Sequence, residues 1–227
     1  MKIGVLALQG AVVEHIAMLR SLGVEAVPVR LSEGLVGLDG LVIPGGESTT
    51  IAKLLIRFDL LEPLRRTIGQ GTPVYGTCAG MILLARDIGI ATQPTLGEMD
   101  IVVTRNAFGR QLDSFEQDIA IPVLGDALFH AVFIRAPAIT CAGPAARELA
   151  RLDDGTIVAA RQGSLLVTAF HPELSGDTRM HEYFVAMCAA ARQDDAANAV
   201  HSRHADSADV LTATDYRPST IDHRPED

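Results

Sequence analysis

The sequence is poor in cysteine, in aromatic residues, in positive charge and in long apolar runs. Its three cysteines, at positions 78, 141 and 188, cannot all pair and are not spaced as metal ligands, which favours a reducing cytoplasm and no metal site. No apolar run approaches the ~20 residues that a membrane-spanning helix needs. The net charge of −9 leaves no basic footprint for nucleic acid or an anionic membrane. We therefore expect a cytoplasmic protein without either of these partners.

The first half of the chain alternates short apolar runs with amphipathic stretches. The runs predict strands at residues 3–8, 24–29 and 38–43 and directly before Cys78; the stretches predict helices at 11–22, 49–58 and 60–68, with a further helix over 81–86. This order predicts an α/β fold, with helices on both faces of a central, mostly parallel sheet. Ligands of such sheets bind at the carboxyl ends of the strands, where Gly10, Gly45 and Cys78 are all expected.

The second half has a different pattern. It predicts short strands at residues 101–103, 120–123, 131–134, 157–160 and 165–169 and a closing helix at 180–192. Beyond the helix, hydrophobic periodicity fades. Residues 192–227 hold eight acidic and four basic side chains, a net −4. We predict a folded domain at 1–191, with Cys141 and Cys188 in its core, and an acidic, largely disordered tail at 192–227.

Cys78 lies in the segment Gly76-Thr77-Cys78-Ala79-Gly80, between a predicted buried strand and a predicted helix. This pattern is typical of a nucleophile elbow, a tight turn that lifts one side chain out of the sheet. Gly76 would permit the turn, and Gly80 would let the helix pack close to the sheet. A helix N-terminus and a nearby histidine both favour the reactive thiolate. The Ala79 N–H, with a second from the Gly45-Gly46 loop, would stabilise an oxyanion. A buried structural cysteine is the simpler alternative.

The segment Phe170-His171-Pro172-Glu173 supplies the partners that such a cysteine needs. An extended backbone at Pro172 would place both side chains on one side, so that Glu173 orients His171 and His171 deprotonates Cys78. A plain turn with a satisfied histidine is the alternative for this segment alone. Together the two segments predict a Cys-His-Glu hydrolase or acyl-transfer enzyme.

Two further features are compatible with an anionic substrate. Residues 45–50 combine two glycines with Glu47, Ser48 and two threonines, a pattern typical of an anion site at a helix start or of a simple capping box. Arg105 and Arg135 could each bind a carboxylate through two hydrogen bonds, although isolated arginines are usually solvated.

At these residues the chain resembles the class I (triad) glutamine amidotransferases, and more narrowly the PdxT/SNO family, the glutaminase subunits of pyridoxal 5′-phosphate synthase. The resemblance covers roughly residues 2–190. It is carried by the segments Gly4 to Gly10, Pro44 to Thr50, Gly76 to Gly80, Arg105 to Gln111, Asp113 to Glu116, Val132 to Pro137 and Phe170 to Leu174. The segments from Arg105 and from Val132 are the most selective.

The resemblance implies a three-layer, flavodoxin-like sandwich and the same triad: Cys78 as nucleophile, His171 as base and acid, Glu173 as orienting group. It implies that L-glutamine contacts Gly46, Glu47, Ser48, Arg105, Ile134 and Arg135. Gln9 and Gly10 would lie in a loop near the oxyanion site and the partner interface. It further implies a synthase partner of the PdxS/SNZ family that receives the ammonia, and no cofactor in this subunit. The acidic tail is longer than the family's usual ending.

Two other hypotheses remain at this point. The same triad could serve an amidotransferase of imidazole glycerol phosphate or nucleotide synthesis, or a cysteine peptidase. A regulatory binding module on the same scaffold would be expected to lack a triad member, and none is missing here.

Overall fold

A central sheet connects the first and last parts of the domain. The computed structural model describes residues 1–107 and 114–194, of which Met1–Ala191 form one compact unit. Within the described residues the strands are β1 (Lys2–Leu6), β2 (Glu25–Val29), β3 (Gly40–Ile43), β4 (Val74–Thr77), β5 (Ala85–Asp87), β6 (Met99–Thr104), β7 (Ser114–Ile119), β8 (Phe129–Ile134), β9 (Ala138–Ala142), β10 (Arg147–Arg151), β11 (Ile157–Gln162) and β12 (Leu165–Thr168).

Five helices are described. They are α1 (Val12–Ser21), α2 (Ser48–Arg57), α3 (Leu61–Gly69), α4 (Ala79–Leu84) and α5, residues 179–194. Short 3-10 turns cover Ser32–Leu35, Pro122–Leu124 and Pro172–Leu174. No helix within the described ranges has both the length and the apolar character needed to cross a membrane. Most of the predicted acidic tail, from residue 195 onward, lies outside these ranges, and its disorder stays a prediction.

The strand order explains how distant segments meet. The sheet runs β2-β1-β3-β4-β12-β11-β9-β6-β5, with β10 beside β11, and β7 and β8 form a separate hairpin. Strands β2, β1, β3, β4 and β12 are parallel, so their carboxyl ends share one edge. Thr77 and Thr168, the last residues of β4 and β12, are register partners. The predicted α/β fold with a central, mostly parallel sheet is confirmed.

The first half of the chain follows its hydrophobic pattern closely, with one correction. Strands β3 and β4 are buried on both faces, which is why they read as continuous apolar runs. The helix predicted at 81–86 is α4, which starts at Ala79 and ends at Leu84. Ala85 adopts an extended conformation and opens β5, so Arg86 lies in a strand.

Several expectations for the second half are wrong. Residues 120–123 were expected to form a strand, but β7 ends at Ile119 and Pro122 begins a 3-10 turn, because proline has a fixed φ and no N–H for a strand ladder. Strands β7, β9 and β10 have mixed exposure and no clear apolar run. Cys141 is exposed on β9, contrary to the expectation of a core position, whereas Cys188 is buried.

Gly80 allows α4 to lie directly against the sheet, as predicted. A Cβ atom at this position would stand 2.1 Å from the carbonyl oxygen of Ile43 in β3. The neighbour is backbone, which cannot rotate away as a side chain would. A larger residue would therefore push α4, and with it the turn at Cys78, away from β3.

We expect Gly80→Ala to lower the free energy of unfolding by about 1–3 kcal/mol, the usual cost of overpacking. Urea unfolding followed by circular dichroism would measure it. Gly69→Ala is the matched control, because an added Cβ there meets nothing within 4 Å and alanine suits the helix better. Equal effects of the two substitutions would contradict the role given to the contact at Ile43.

Candidate active site

Cys78 lies at the tight turn between β4 and α4. It is the N-cap of α4, with φ 47° and ψ −99°, and is 6% exposed. The left-handed conformation falls on Cys78 itself and not on Gly76, which is the last residue but one of the strand. Gly76 is required for a different reason: a Cβ there would lie 2.7 Å from the backbone of Gly80. The elbow is thus a strained cysteine between two glycines that allow close packing.

His171 and Glu173 are joined by a short turn directly after β12. The Nδ1 atom of His171 lies 2.8 Å from Oε1 of Glu173, whose side chain is fully buried. The backbone is not extended as expected, because Pro172–Leu174 forms a 3-10 turn that brings positions 171 and 173 together. The His171 N–H donates to the carbonyl of Val132, which ties this turn to β8.

The protonation of His171 follows from its neighbours. Burial opposes the charged form, but hydrogen bonds to Cys78 and Glu173, with the charges of these two groups, raise the pKa of His171 to about 10. Since Nδ1 is engaged by Glu173, Nε2 is the atom left for Cys78. His171 is therefore an imidazolium at neutral pH, placed to stabilise a thiolate on Cys78.

The Gly45 loop lies against the imidazole of His171. A Cβ on Gly45 would stand 2.3 Å from Cε1 of His171, so only glycine fits. The Gly45 N–H donates to Oγ1 of Thr77 at 2.9 Å and is therefore not available as the expected second oxyanion donor. Gly10 packs on Gly45, and Oε1 of Gln9 accepts from the Glu47 N–H at 2.7 Å. The predicted convergence of these loops at one sheet edge is confirmed.

A cavity of about 330 Å³ opens beside Cys78 and His171. Every residue that the sequence resemblance implied as a glutamine contact lines it. The lining consists of Gln9, Gly46, Glu47, Ser48, Cys78, Ile82, Arg105, Asn106, Ile134, Arg135 and His171. The other four residues expected at the site, Gly10, Gly45, Ala79 and Glu173, are not part of this lining.

The chain is similar to glutamine amidotransferases over most of its length. The sequence model of the SNO glutamine amidotransferase family matches residues 5–190. The chain belongs to this family. The pyridoxal 5′-phosphate synthase subunit PdxT of Herpetosiphon aurantiacus is 62% identical over 190 residues, covering 82% of this chain and 100% of the relative. The subunit of the same name from Moorella thermoacetica is 60% identical over 187 residues, covering 82% and 99%.

A solved structure is similar at the level of the fold and the sequence. A crystal structure described as a glutamine amidotransferase aligns with a TM-score of 0.78 and 46% identity, covering 82% of this chain and 98% of that one. The family resemblance and the fold class expected from the sequence are therefore confirmed, and the protein is an enzyme of the amidotransferase type.

Glu47 caps the helix that the Gly45 loop leads into. Its carboxylate accepts from the N–H of Thr50 at 3.1 Å and from the hydroxyl of Thr49, so the chain supplies its own anion at the start of α2. This corresponds to the simpler capping alternative. These two hydrogen bonds and the Arg105 guanidinium outweigh desolvation and lower the pKa of Glu47.

Arg105 is held by two side chains. One terminal nitrogen donates to Oε1 of Glu47 at 3.0 Å, and the other donates to Oε1 of Gln93 at 2.8 Å. Gln93 is 7% exposed, and its Nε2 has no hydrogen-bond partner within residues 1–107 and 114–194. Gln93 was not predicted from the sequence, because this residue follows an irregular stretch with no periodicity and no motif.

Backbone strain is concentrated around the cavity. Among the described residues, four that are not glycine have a positive φ, and three of these line it: Cys78, Asn106 and Arg135. Such conformations cost about 1–3 kcal/mol each and cluster at functional sites. The hydroxyl of Ser48 is buried in the same wall without a partner in the described part of the chain. The wall thus contains an unused hydrogen-bonding group.

Part of the expected site lies outside the described residues. The family segment that begins at Arg105 continues into residues 108–113, which lie outside the described ranges. Over the described residues, no group of three or more potential ligands is arranged to hold a metal ion.

The raised pKa of His171 makes a pH-dependent contribution to stability. This contribution is fully present below the unfolded value of about 6.5 and is lost as the pH rises through about 10. We expect the difference in unfolding free energy between the wild type and His171→Gln to shrink over this interval. Urea unfolding at a series of pH values would measure it.

Cys78→Ala serves as the reference for this experiment. It removes one of the groups that raise the pKa of His171 in the folded protein, so the decline should end at lower pH and be smaller. A difference between wild type and His171→Gln that stays constant from neutral pH to pH ~10 would show that His171 is not charged in the folded protein.

Proposed function

We propose that this chain is the glutaminase subunit of a pyridoxal 5′-phosphate synthase, hydrolysing L-glutamine to L-glutamate and ammonia through Cys78, His171 and Glu173. The observation that supports this most directly is the coincidence of three things in one cavity: a strained cysteine, a charged histidine beside it and the full set of expected glutamine contacts. Two relatives about 60% identical are pyridoxal 5′-phosphate synthase subunits, which supports assigning this chain to the same synthase.

The first half of the reaction forms a thioester. The thiolate of Cys78 attacks the carbon of the glutamine side-chain amide, and the carbonyl oxygen becomes an oxyanion. Ala79 is the first residue of α4, so its N–H has no acceptor within the helix and can stabilise this charge. The Gly46 N–H takes the second position, since that of Gly45 is occupied. His171 donates its proton to the departing ammonia, and the γ-glutamyl thioester remains on Cys78.

The second half releases glutamate. The now neutral Nε2 of His171 accepts a proton from water, and the resulting hydroxide attacks the thioester carbon. The carbon–sulfur bond breaks, glutamate leaves and the thiolate is restored beside a protonated His171. Glu173 holds the imidazole in one orientation through both steps.

Substrate selection is assigned to the cavity wall. The α-carboxylate of glutamine would be bound by Arg105 and Arg135, and its other polar groups by Ser48 and the carbonyl of Ile134. The Ile134 carbonyl oxygen lies 3.9 Å from the Cys78 sulfur, so an amide under attack by this sulfur would be close to it. A ligand lacking the carboxylate would leave these groups unpaired, which is a strong basis for discrimination.

The ammonia would pass to a synthase partner of the PdxS/SNZ family. Three of the exposed large apolar side chains lie within three residues, along the chain, of a residue of the expected site: Val13 at 73%, Ile134 at 37% and Leu174 at 46%. Val13 is three residues after Gly10, Ile134 directly precedes Arg135, and Leu174 directly follows Glu173. Docking over them would shield the ammonia from water and raise activity, as when binding completes a catalytic site.

We expect Cys78→Ala to abolish glutamate formation from glutamine, both alone and with the synthase subunit, because no other group can form the thioester. Wild-type protein should be slow alone and faster with the synthase. Cys141→Ala is the control, since it removes an exposed thiol on β9 that does not line the cavity. Equal rates for wild type and Cys78→Ala would contradict the proposed function. Replacing the synthase by enzymes of imidazole glycerol phosphate or nucleotide synthesis would test the other acceptors.

We expect Arg135→Gln to raise KM for glutamine by about 10- to 100-fold with a smaller change in kcat. A hydrogen bond to a charged group contributes about 1.5–3 kcal/mol, and this one is present in ground state and transition state alike. Steady-state kinetics with the synthase present would measure it. Arg151→Gln is the control, because Arg151 pairs with Glu148 on β10, away from the cavity lining. An unchanged KM in Arg135→Gln would exclude the assigned carboxylate contact.

A further inference from the structure

A second layer of buried polar side chains lies directly behind the triad. His15 on α1 and His181 on α5 are both 0% exposed, and the side chain of Glu173 is fully buried between them and His171. Thr77, at the end of β4, completes the group. Buried polar groups are costly unless they are paired, so each nitrogen and oxygen atom of this group is expected to have a partner.

The contacts form a continuous chain. Nε2 of His15 lies 3.3 Å from Oε2 of Glu173 and 3.2 Å from Oγ1 of Thr77. Nδ1 of His15 lies 2.9 Å from Nε2 of His181. Two atoms have no hydrogen bond to any described residue: Oε2 of Glu173 and Nδ1 of His181.

A bare Nε2 on His15 could accept from the Thr77 hydroxyl, so the buried carboxylate is what distinguishes the two tautomers of His15. A bare Nε2 on His15 would turn its lone pair toward a buried carboxylate oxygen, so this nitrogen carries the proton. Nδ1 of His15 is then an acceptor, and it receives the Nε2–H of His181. Nδ1 of His181 is left as a bare acceptor, which is the atom found without a partner.

The electrostatics agree with neutral rings. Burial, with the charges of His181 and His171, lowers the pKa of His15 well below its ordinary value. Burial lowers the pKa of His181 to about 4. Each ring therefore holds one proton at neutral pH, as the arrangement requires.

We propose that His15 is a positioning residue of the triad: a proton on its Nε2, 3.3 Å from Oε2 of Glu173, attracts and orients the carboxylate whose Oε1 in turn orients His171. His181 in turn fixes the tautomer of His15. The same His15 nitrogen contacts Thr77, whose hydroxyl accepts from the Gly45 N–H, so the loop packed on His171 is held by the same group. This inference rests on the proposed glutaminase function for its kinetic test only.

The wild-type protein gives the first test. In ¹⁵N-histidine NMR spectra at neutral pH, His15 should be neutral with its proton on Nε2, and His15→Gln would assign the signal. A charged His15, or a neutral ring with its proton on Nδ1, would overturn the proposal. This measurement does not depend on any variant being active.

Two substitutions separate the polar contact between His15 and Glu173 from packing. His15→Leu removes the donor at similar volume, and we expect kcat for glutamine hydrolysis to fall about 10- to 100-fold with KM nearly unchanged, because the imidazole loses its alignment. His15→Gln returns an amide N–H near the position of Nε2 and should recover most of the rate. His130→Gln, which removes an exposed histidine on β8, is the control and should match the wild type.

A readout that does not involve glutamine completes the test. The pH profile for alkylation of Cys78 by iodoacetamide should shift in His15→Leu, because Glu173 then supports the charge on His171 less well. Wild-type rates and an unshifted profile in His15→Leu would overturn the proposal, as would a His15→Gln variant as slow as His15→Leu. If wild-type protein releases no glutamate, the proposed function fails, whereas the tautomer and the alkylation profile still decide the role of His15.

Discussion

Helix α4 starts in direct contact with strand β3, and the geometry of the whole site depends on that contact. Because Gly80 lies against the Ile43 carbonyl, the chain has no room to leave β4 gradually, and the reversal is concentrated in one residue. Cys78 adopts a left-handed conformation that is unfavourable for any side chain except glycine. It is held there by the N–H of Cys78 donating to the Thr168 carbonyl at 2.8 Å and by a completely buried helix.

The parallel sheet converts a long separation in sequence into adjacency. Strands β4 and β12 pair in register to their last residues, so the segments that follow them emerge side by side. A carboxylate at 0% exposure would be very costly alone, and its hydrogen bond to a protonated His171 is what makes that burial tolerable. The two neighbours of His171, Cys78 and Glu173, therefore favour its charged form, which the proposed chemistry needs.

Hydrophobic runs were sufficient for the parallel half of the sheet, and motifs together with the family resemblance for nine of the eleven residues that line the cavity, Ile82 and Asn106 being the exceptions. Strands buried on both faces produce unmistakable runs, and residues at their ends necessarily share an edge. The antiparallel half was harder, because β9 and β10 are partly exposed and their patterns resemble those of loops. Local geometry was also out of reach: the 3-10 turn at Pro172 and the use of the Gly45 N–H by Thr77 depend on neighbours brought by the fold. Gln93 and His15 belong to the same class, since only tertiary contacts give them a role.

The clamp on Arg105 has a consequence for molecular recognition. Arginine has many rotamers in solution, and immobilising it on ligand binding typically subtracts about 0.5–1.5 kcal/mol from affinity. Here Gln93 and Glu47 already restrict the Arg105 guanidinium. Its conformational freedom is therefore lost when the protein folds and not when a ligand binds. In the proposed reaction an incoming glutamine would therefore meet a guanidinium that is already held in place, and its affinity would not bear the cost of ordering that side chain.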